Sequence, residues 1–145
     1  LEAVGAMSYA DAPVGRLSGG EQQRLRVAQS VVGDPILLLA DEPLLSLDLN
    51  HAAAVSALFD DCRRRTGAAV LFVTHDVNPV LPYADRVLYL ANETFRIGSP
   101  AEVMTSHTLS ELYGSPVEVL RSNGRLLVAG GAAPSEHPHA PEDVS

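Results

Sequence analysis

Two short apolar runs, ILLLA at 36–40 and AVLFV at 69–73, are joined by a segment with the pattern of an amphipathic helix. An apolar run without polar alternation predicts a strand buried on both faces, as in a parallel sheet. Between the runs, Val55, Leu58, Phe59 and Cys62 fall on one face of a helix from about Asn50 to Arg65, and Thr66-Gly67 ends it. Strand, helix, strand in that order predicts two parallel strands joined by a right-handed crossover. The fold class is therefore α/β with a parallel sheet. Ligands of such sheets collect at the carboxyl ends of the strands, which points to DEPLLSLD after the first run and THDVNP after the second.

The flanking segments are simpler. Leu25, Ala28, Val31 and Val32 recur at helical spacing, and GDP at 33–35 closes that helix. RVLYLA and TFRIG predict an antiparallel hairpin turning at Asn92-Glu93, and residues 100–113 predict one or two short helices. VEVLRSNGRLLVA predicts a second hairpin with Asn123-Gly124 in the turn. From Gly130 onward Gly, Ala, Pro and His dominate, which predicts a disordered tail. There is no internal repeat.

Bulk properties exclude several classes. A chain of 145 residues suffices for one domain with a core. No apolar run approaches the ~20 residues of a membrane span. The start, LEAVGAMSYADAP, lacks the basic flank and long apolar block of a signal peptide, and the missing initiator Met suggests a piece of a longer protein. A net charge of −8 argues against nucleic acid as a main partner. A lone cysteine, Cys62, forms no internal disulfide and fits a reducing cytoplasm. All ten basic residues are arginine. Without lysine, the phosphate-cradling loop GxxxxGK[ST] cannot occur within these residues.

Three positions carry candidate chemistry on the sheet rim. Asp41 and Glu42 follow the first strand and His75 lies just past the second. If the strands are neighbours, one carboxylate can hold Mg²⁺, a second can orient or deprotonate water, and the imidazole can contact a terminal phosphate. These are the parts phosphoryl transfer requires. Singly, each has a plainer explanation: an acidic turn for Asp41-Glu42, a hydrogen-bonded loop histidine for His75, a helix cap for Asp48. Ser18-Gly19-Gly20-Glu21 is likewise open to two readings. Ser18 with Glu21 three residues on makes a capping box. Two glycines in a first turn, each costing about 1 kcal/mol relative to alanine, instead suit a helix start that admits a phosphate close to its N–H groups.

LSGGEQQR (17–24), ILLLADEP (36–43), SLD (46–48) and VTHD (73–76) occur in that order. Together they resemble the C-terminal half of an ATP-binding cassette (ABC) ATPase, a P-loop NTPase-like fold, over residues 1 to about 99. The resemblance implies roles. Ser18, Gly19 and Gly20 match the signature that contacts the γ-phosphate of ATP held by the opposite subunit. Asp41 matches the aspartate that positions Mg²⁺, usually through water, and Glu42 the catalytic glutamate. Asp48 matches the D-loop aspartate at the dimer interface, and His75 the switch histidine. Position 21 is Glu where the family most often has Gln; a carboxylate near phosphate is unfavourable, so Glu21 is expected to fold back into the capping box.

The same resemblance divides the chain into the end of a helical subdomain (1–16), the ATPase core (17–99), a C-terminal extension (100–129) and a tail (130–145). The phosphate loop and glutamine loop lie upstream in the family. Expected cofactors are ATP and Mg²⁺. Expected partners are a second ATPase subunit, as a homodimer, and transmembrane permease subunits, with the protein peripheral on the cytoplasmic face of the cell membrane. Residues 73–129 look similar to ATPases of zinc, manganese or iron importers. His137 and His139 in the tail read as solvated polar residues rather than metal ligands. Two other readings compete: a soluble cassette ATPase of ribosomes or DNA, and a truncated, non-catalytic regulatory or binding chain.

Overall fold

The computed structural model describes residues 1–130; of the tail expected from Gly130, Gly130 itself is the last residue of a strand, and residues 131–145, with His137 and His139, lie outside the described residues. The chain divides into two units, Leu1–Tyr83 and a second beginning at Ala84.

In the first unit, β1 (Leu37–Asp41) pairs in parallel with β2 (Ala69–Val73), from Leu37 opposite Ala69 to Asp41 opposite Val73. Helix α2 (Leu49–Thr66) connects them. Its start is fixed by Asp48, whose side chain accepts the His51 N–H, and its end by Gly67 at φ 73°, a left-handed position that suits glycine. Helix α1 (Gly19–Ser30) precedes β1, and residues 1–16 form three short 3₁₀ turns. The core joins Leu38 and Ala40 of β1, Val55, Phe59 and Cys62 of α2, Val27 of α1, and Val4 and Ala6 from the N-terminal turns. Phe59 meets Phe72 of β2 edge-on at 5.4 Å. Near the end of α2 the buried Asp60 is paired with Arg63 at 2.6 Å and Arg64 at 2.7 Å, so its charge is compensated.

Two expectations are corrected. The strands are buried on one face only: Leu38 and Ala40 point into the core, while Leu39 is 71% and Leu71 56% exposed. α2 and the N-terminal turns cover a single side of the sheet. Val32 is also exposed, because α1 stops at Ser30 and Val32 falls in the turn beyond it; Val27 takes the buried place.

In the second unit, β3 (Val87–Ala91) and β4 (Thr94–Gly98) form the first hairpin, with Asn92 and Glu93 both at positive φ in the turn. The expected helical stretch is two helices, α3 (Pro100–Val103) and α4 (Ser106–Tyr113). The second hairpin pairs β5 (Val117–Ser122) with β6 (Arg125–Gly130) around Asn123-Gly124. Val103, Met104, Leu109, Leu112, Val117 and Leu126 are its buried apolar side chains. Gly130 closes β6; a Cβ there would lie 2.5 Å from the Pro116 carbonyl oxygen.

Candidate functional site at the carboxyl ends of the parallel strands

The parallel ladder does not end with β1. The Glu42 N–H donates to the Val73 carbonyl at 2.9 Å, so Glu42 and His75 leave the sheet side by side. Their side chains meet: His75 Nδ1 lies 3.0 Å from Glu42 Oε2. The pair is open to solvent, with His75 73% and Glu42 33% exposed. His75 is carried by a turn in which Asp76 N–H donates to Thr74 Oγ1 at 3.2 Å and Asn78 N–H to Asp76 Oδ1 at 3.1 Å. A shallow depression of about 170 Å³ opens here, lined among others by Glu42, Ser46, Leu49, Thr74 and His75.

Asp41 is the last residue of β1, with an exposed side chain, next to Glu42. No cluster of three or more metal-ligating side chains exists among the described residues. One exposed carboxylate at a strand end still suits Mg²⁺, which is commonly held by one or two carboxylates, waters and the phosphates of a nucleotide.

Residues 42–47 leave β1 as two tight turns, with Glu42 at φ 45° and Ser46 at φ 64°. The Leu45 N–H donates to the Glu42 carbonyl at 3.1 Å and the Leu47 N–H to the Leu44 carbonyl at 3.1 Å. Asp48 follows and caps α2. Its Oδ1 accepts the His51 N–H at 2.9 Å and its Oδ2 lies 2.7 Å from His51 Nδ1. The His51 N–H, then its ring, hold the Asp48 carboxyl below its ordinary pKa.

At the start of α1 the capping box is complete. Glu21 Oε2 accepts from the Ser18 N–H at 2.7 Å and from Ser18 Oγ at 2.8 Å, and the Glu21 N–H donates to Ser18 Oγ at 3.4 Å. The Ser18 N–H, then its hydroxyl, lower the Glu21 pKa. Glu21 thus turns back into the box, as expected. The two glycines differ. A Cβ on Gly19 would meet nothing within 4 Å, whereas one on Gly20 would lie 3.1 Å from the Ser46 carbonyl oxygen. Gly20 therefore has a packing reason to be glycine, and Gly19 has none among the described residues.

The structure thus unites Glu42 with His75 and sets Gly20 against the loop that leads to Asp48. Ser18 is engaged within its own helix start. Sequence reasoning missed Gln23, whose Nε2 donates to the Glu42 carbonyl at 3.4 Å, and His51. Spacing held a signal for the first: Gln23 lies three residues after Gly20, on the same helix face.

A family model described as "ABC transporter" matches residues 1–45. The phosphonates import ATP-binding protein of Anaeromyxobacter dehalogenans is 35% identical over 153 residues, covering 94% of this chain and 30% of that protein. The zinc import ATP-binding protein of Cereibacter sphaeroides is 38% identical over 114 residues, covering 79% of this chain and 47% of its own length. This chain belongs to the ABC transporter ATP-binding family. It spans only 30% of the first relative and 47% of the second. Among solved structures, an inward-facing ABC transporter of metal-chelate type superposes with a TM-score of 0.67 at 27% identity, covering 88% of this chain and 52% of that one. An archaeal ribosome recycling factor, in complex with a ribosomal stalk protein, superposes with a TM-score of 0.72 at 26% identity, covering 92% of this chain and 26% of that one. The expected ABC ATPase fold, a P-loop NTPase fold, is the fold of these neighbours. No helix among the described residues is long and apolar enough to cross a membrane.

Proposed function

We propose that this chain is the signature-to-switch portion of the ATP-binding subunit of an ABC importer, whose complete subunit hydrolyses ATP to drive solute uptake. The observation that carries the reading is the Glu42–His75 pair at 3.0 Å on the rim of two adjacent parallel strands. In this reading Glu42 orients and deprotonates the attacking water. His75, held to Glu42 through Nδ1, is placed to turn its other nitrogen to the terminal phosphate. Bound Mg²⁺, with Asp41 as its protein carboxylate, would neutralise charge on the phosphate oxygens. Ser18 caps the start of α1 while Gly19 and Gly20 leave its first-turn N–H groups open to a nucleotide held by a second copy, and Asp48 lies at that same interface. The subunit works as a homodimer beneath membrane permease subunits, on the cytoplasmic face.

The proposed solute is a divalent transition metal. Support comes from the 38% identity to a zinc import protein and the likeness to a transporter of metal-chelate type. The phosphonates import relative, at 35% identity, marks the main rival. Deleting the gene should lower cell zinc, manganese or iron, with growth restored by added metal. Unchanged metal content beside lost uptake of phosphonate would refute the metal.

A second reading has one observation in its favour: with no lysine, these residues hold no phosphate loop of their own. The chain would then be a regulatory or binding module with the same fold. The coding sequence upstream decides. An in-frame GxxxxGK[ST], and Mg-ATP hydrolysis by the purified full-length subunit, support the ATPase. A start codon near Leu1 and no hydrolysis support the module.

A further inference from the structure

The N-terminal half of helix α1 touches the 42–47 loop at two points, near each end of the loop. Gln23 Nε2 donates to the Glu42 carbonyl at 3.4 Å. One turn earlier on the same face, the Cα of Gly20 comes close enough to Ser46 that a Cβ would stand 3.1 Å from its carbonyl oxygen. The two loop residues so engaged, Glu42 at φ 45° and Ser46 at φ 64°, have left-handed backbones. That conformation is unfavourable for a residue with a Cβ and persists where the surroundings fix it. Val73 and Leu45 also bond the Glu42 backbone, from the strand and from the loop itself. Gln23 is its partner from α1.

From this geometry we infer that Gln23 is a positioning residue: it couples the signature helix to the Glu42 carboxylate within one subunit. The inference rests on the proposed role of Glu42 as general base. The Glu42 side chain leaves a backbone whose orientation is set by its peptide bonds, and a small misplacement of a catalytic group costs rate rather than substrate affinity. Gly20 then serves in cis as well, since its missing side chain lets α1 seat on the loop. A shift of α1 when its N-terminus meets a nucleotide would be carried through Gln23 to the base.

The test uses the full-length subunit. Gln23→Met keeps the length of the side chain and removes the donor. Gln23→Lys restores an N–H donor of similar reach, and Gln23→Ala is a second donorless variant should methionine disturb folding. Losing one hydrogen bond that acts on the transition state should lower kcat roughly 2- to 12-fold, with KM for ATP and Tm unchanged. Lysine should recover most of that loss. In a Glu42→Gln background, Gln23→Met should add no further loss, because the base it positions is gone. Unchanged kcat in both donorless variants overturns the inference. So does a parallel fall in Tm, a rise in KM, or equal loss with lysine, each of which marks a packing role. If the wild-type subunit hydrolyses no ATP, the role of Glu42 fails first and takes the inference with it; that is read before any variant is compared.

Discussion

Glu42 holds its carboxylate out from a left-handed backbone that costs a residue with a Cβ about 1–2 kcal/mol. Three bonds on its peptide groups and one on its side chain keep it there. Glu42→Gln preserves shape and reach and removes the base. In the full-length subunit it should cost about 10²–10⁴-fold in turnover while ATP binding survives, as measured by phosphate release and by equilibrium binding. Wild-type turnover would move the base elsewhere. Tyr89 shows a different residue-scale effect. Its phenol is pushed up to about 12, by burial first and then by the Tyr113 hydroxyl, which lies 3.1 Å away. A folded pKa raised above the ordinary 10.0 contributes stability that is present below pH 10 and lost as the pH climbs through 12. Ultraviolet titration should therefore show Tyr89 ionising in a late phase near pH 12. Tyr89→Phe should abolish that phase and flatten the fall in stability across the same window. Survival of the late phase would assign it to another group.

Helix α2 owes its start to one side chain. Asp48 accepts the His51 N–H and pairs with the His51 ring. Asp48→Ala should cost about 0.5–2 kcal/mol in denaturant unfolding, and Asp48→Asn only a few tenths, since asparagine caps as well as aspartate. Equal losses would mean that the pairing of the Asp48 carboxylate with the His51 ring matters more than the cap. Caps of this kind were legible in the sequence because they are local: Ser18 and Glu21 are three residues apart, and Asn92-Glu93 and Asn123-Gly124 sit within their own turns. Strand pairing was legible too, because strand, helix, strand leaves few topologies. Burial of the strands was not. ILLLA carries apolar side chains for both faces of a sheet, and α2 supplies cover for one. The Gly20–Ser46 and Gln23–Glu42 contacts were equally hidden. They join segments far apart in sequence, and only the packing of α1 on the 42–47 loop brings them together.

At the scale of the whole molecule, each unit keeps an apolar face in solvent. On the first it is Leu37, Leu39, Leu71 and Val73; on the second, Leu88 and Leu90 with Phe95 and Ile97 across the hairpin. Faces of that kind mark surfaces that other protein covers. The start of α1 poses the same question for a nucleotide. A Cβ on Gly19 meets nothing within 4 Å among the described residues, so no contact among them explains that glycine. A phosphate brought by a facing subunit does, because it needs the first-turn N–H groups unobstructed. Gly20 is the wrong place to test this, since a side chain there would also press on Ser46. Gly19→Asp separates the effects. An acidic residue in the first turn favours the helix by about 0.3–1 kcal/mol, so the variant should fold at least as stably as wild type. Its carboxylate would occupy the approach of the phosphate and repel it. The full-length Gly19→Asp subunit should keep ATP affinity at its own phosphate loop, yet fail to dimerise on ATP and fail to hydrolyse it. Mixed with a subunit mutated in the phosphate-loop lysine, it should regain part of the ATPase, because one of the two composite sites in each mixed dimer is then intact. If Gly19→Asp instead abolished ATP binding by the isolated monomer, the signature would act on its own subunit's nucleotide, and the composite site would be wrong.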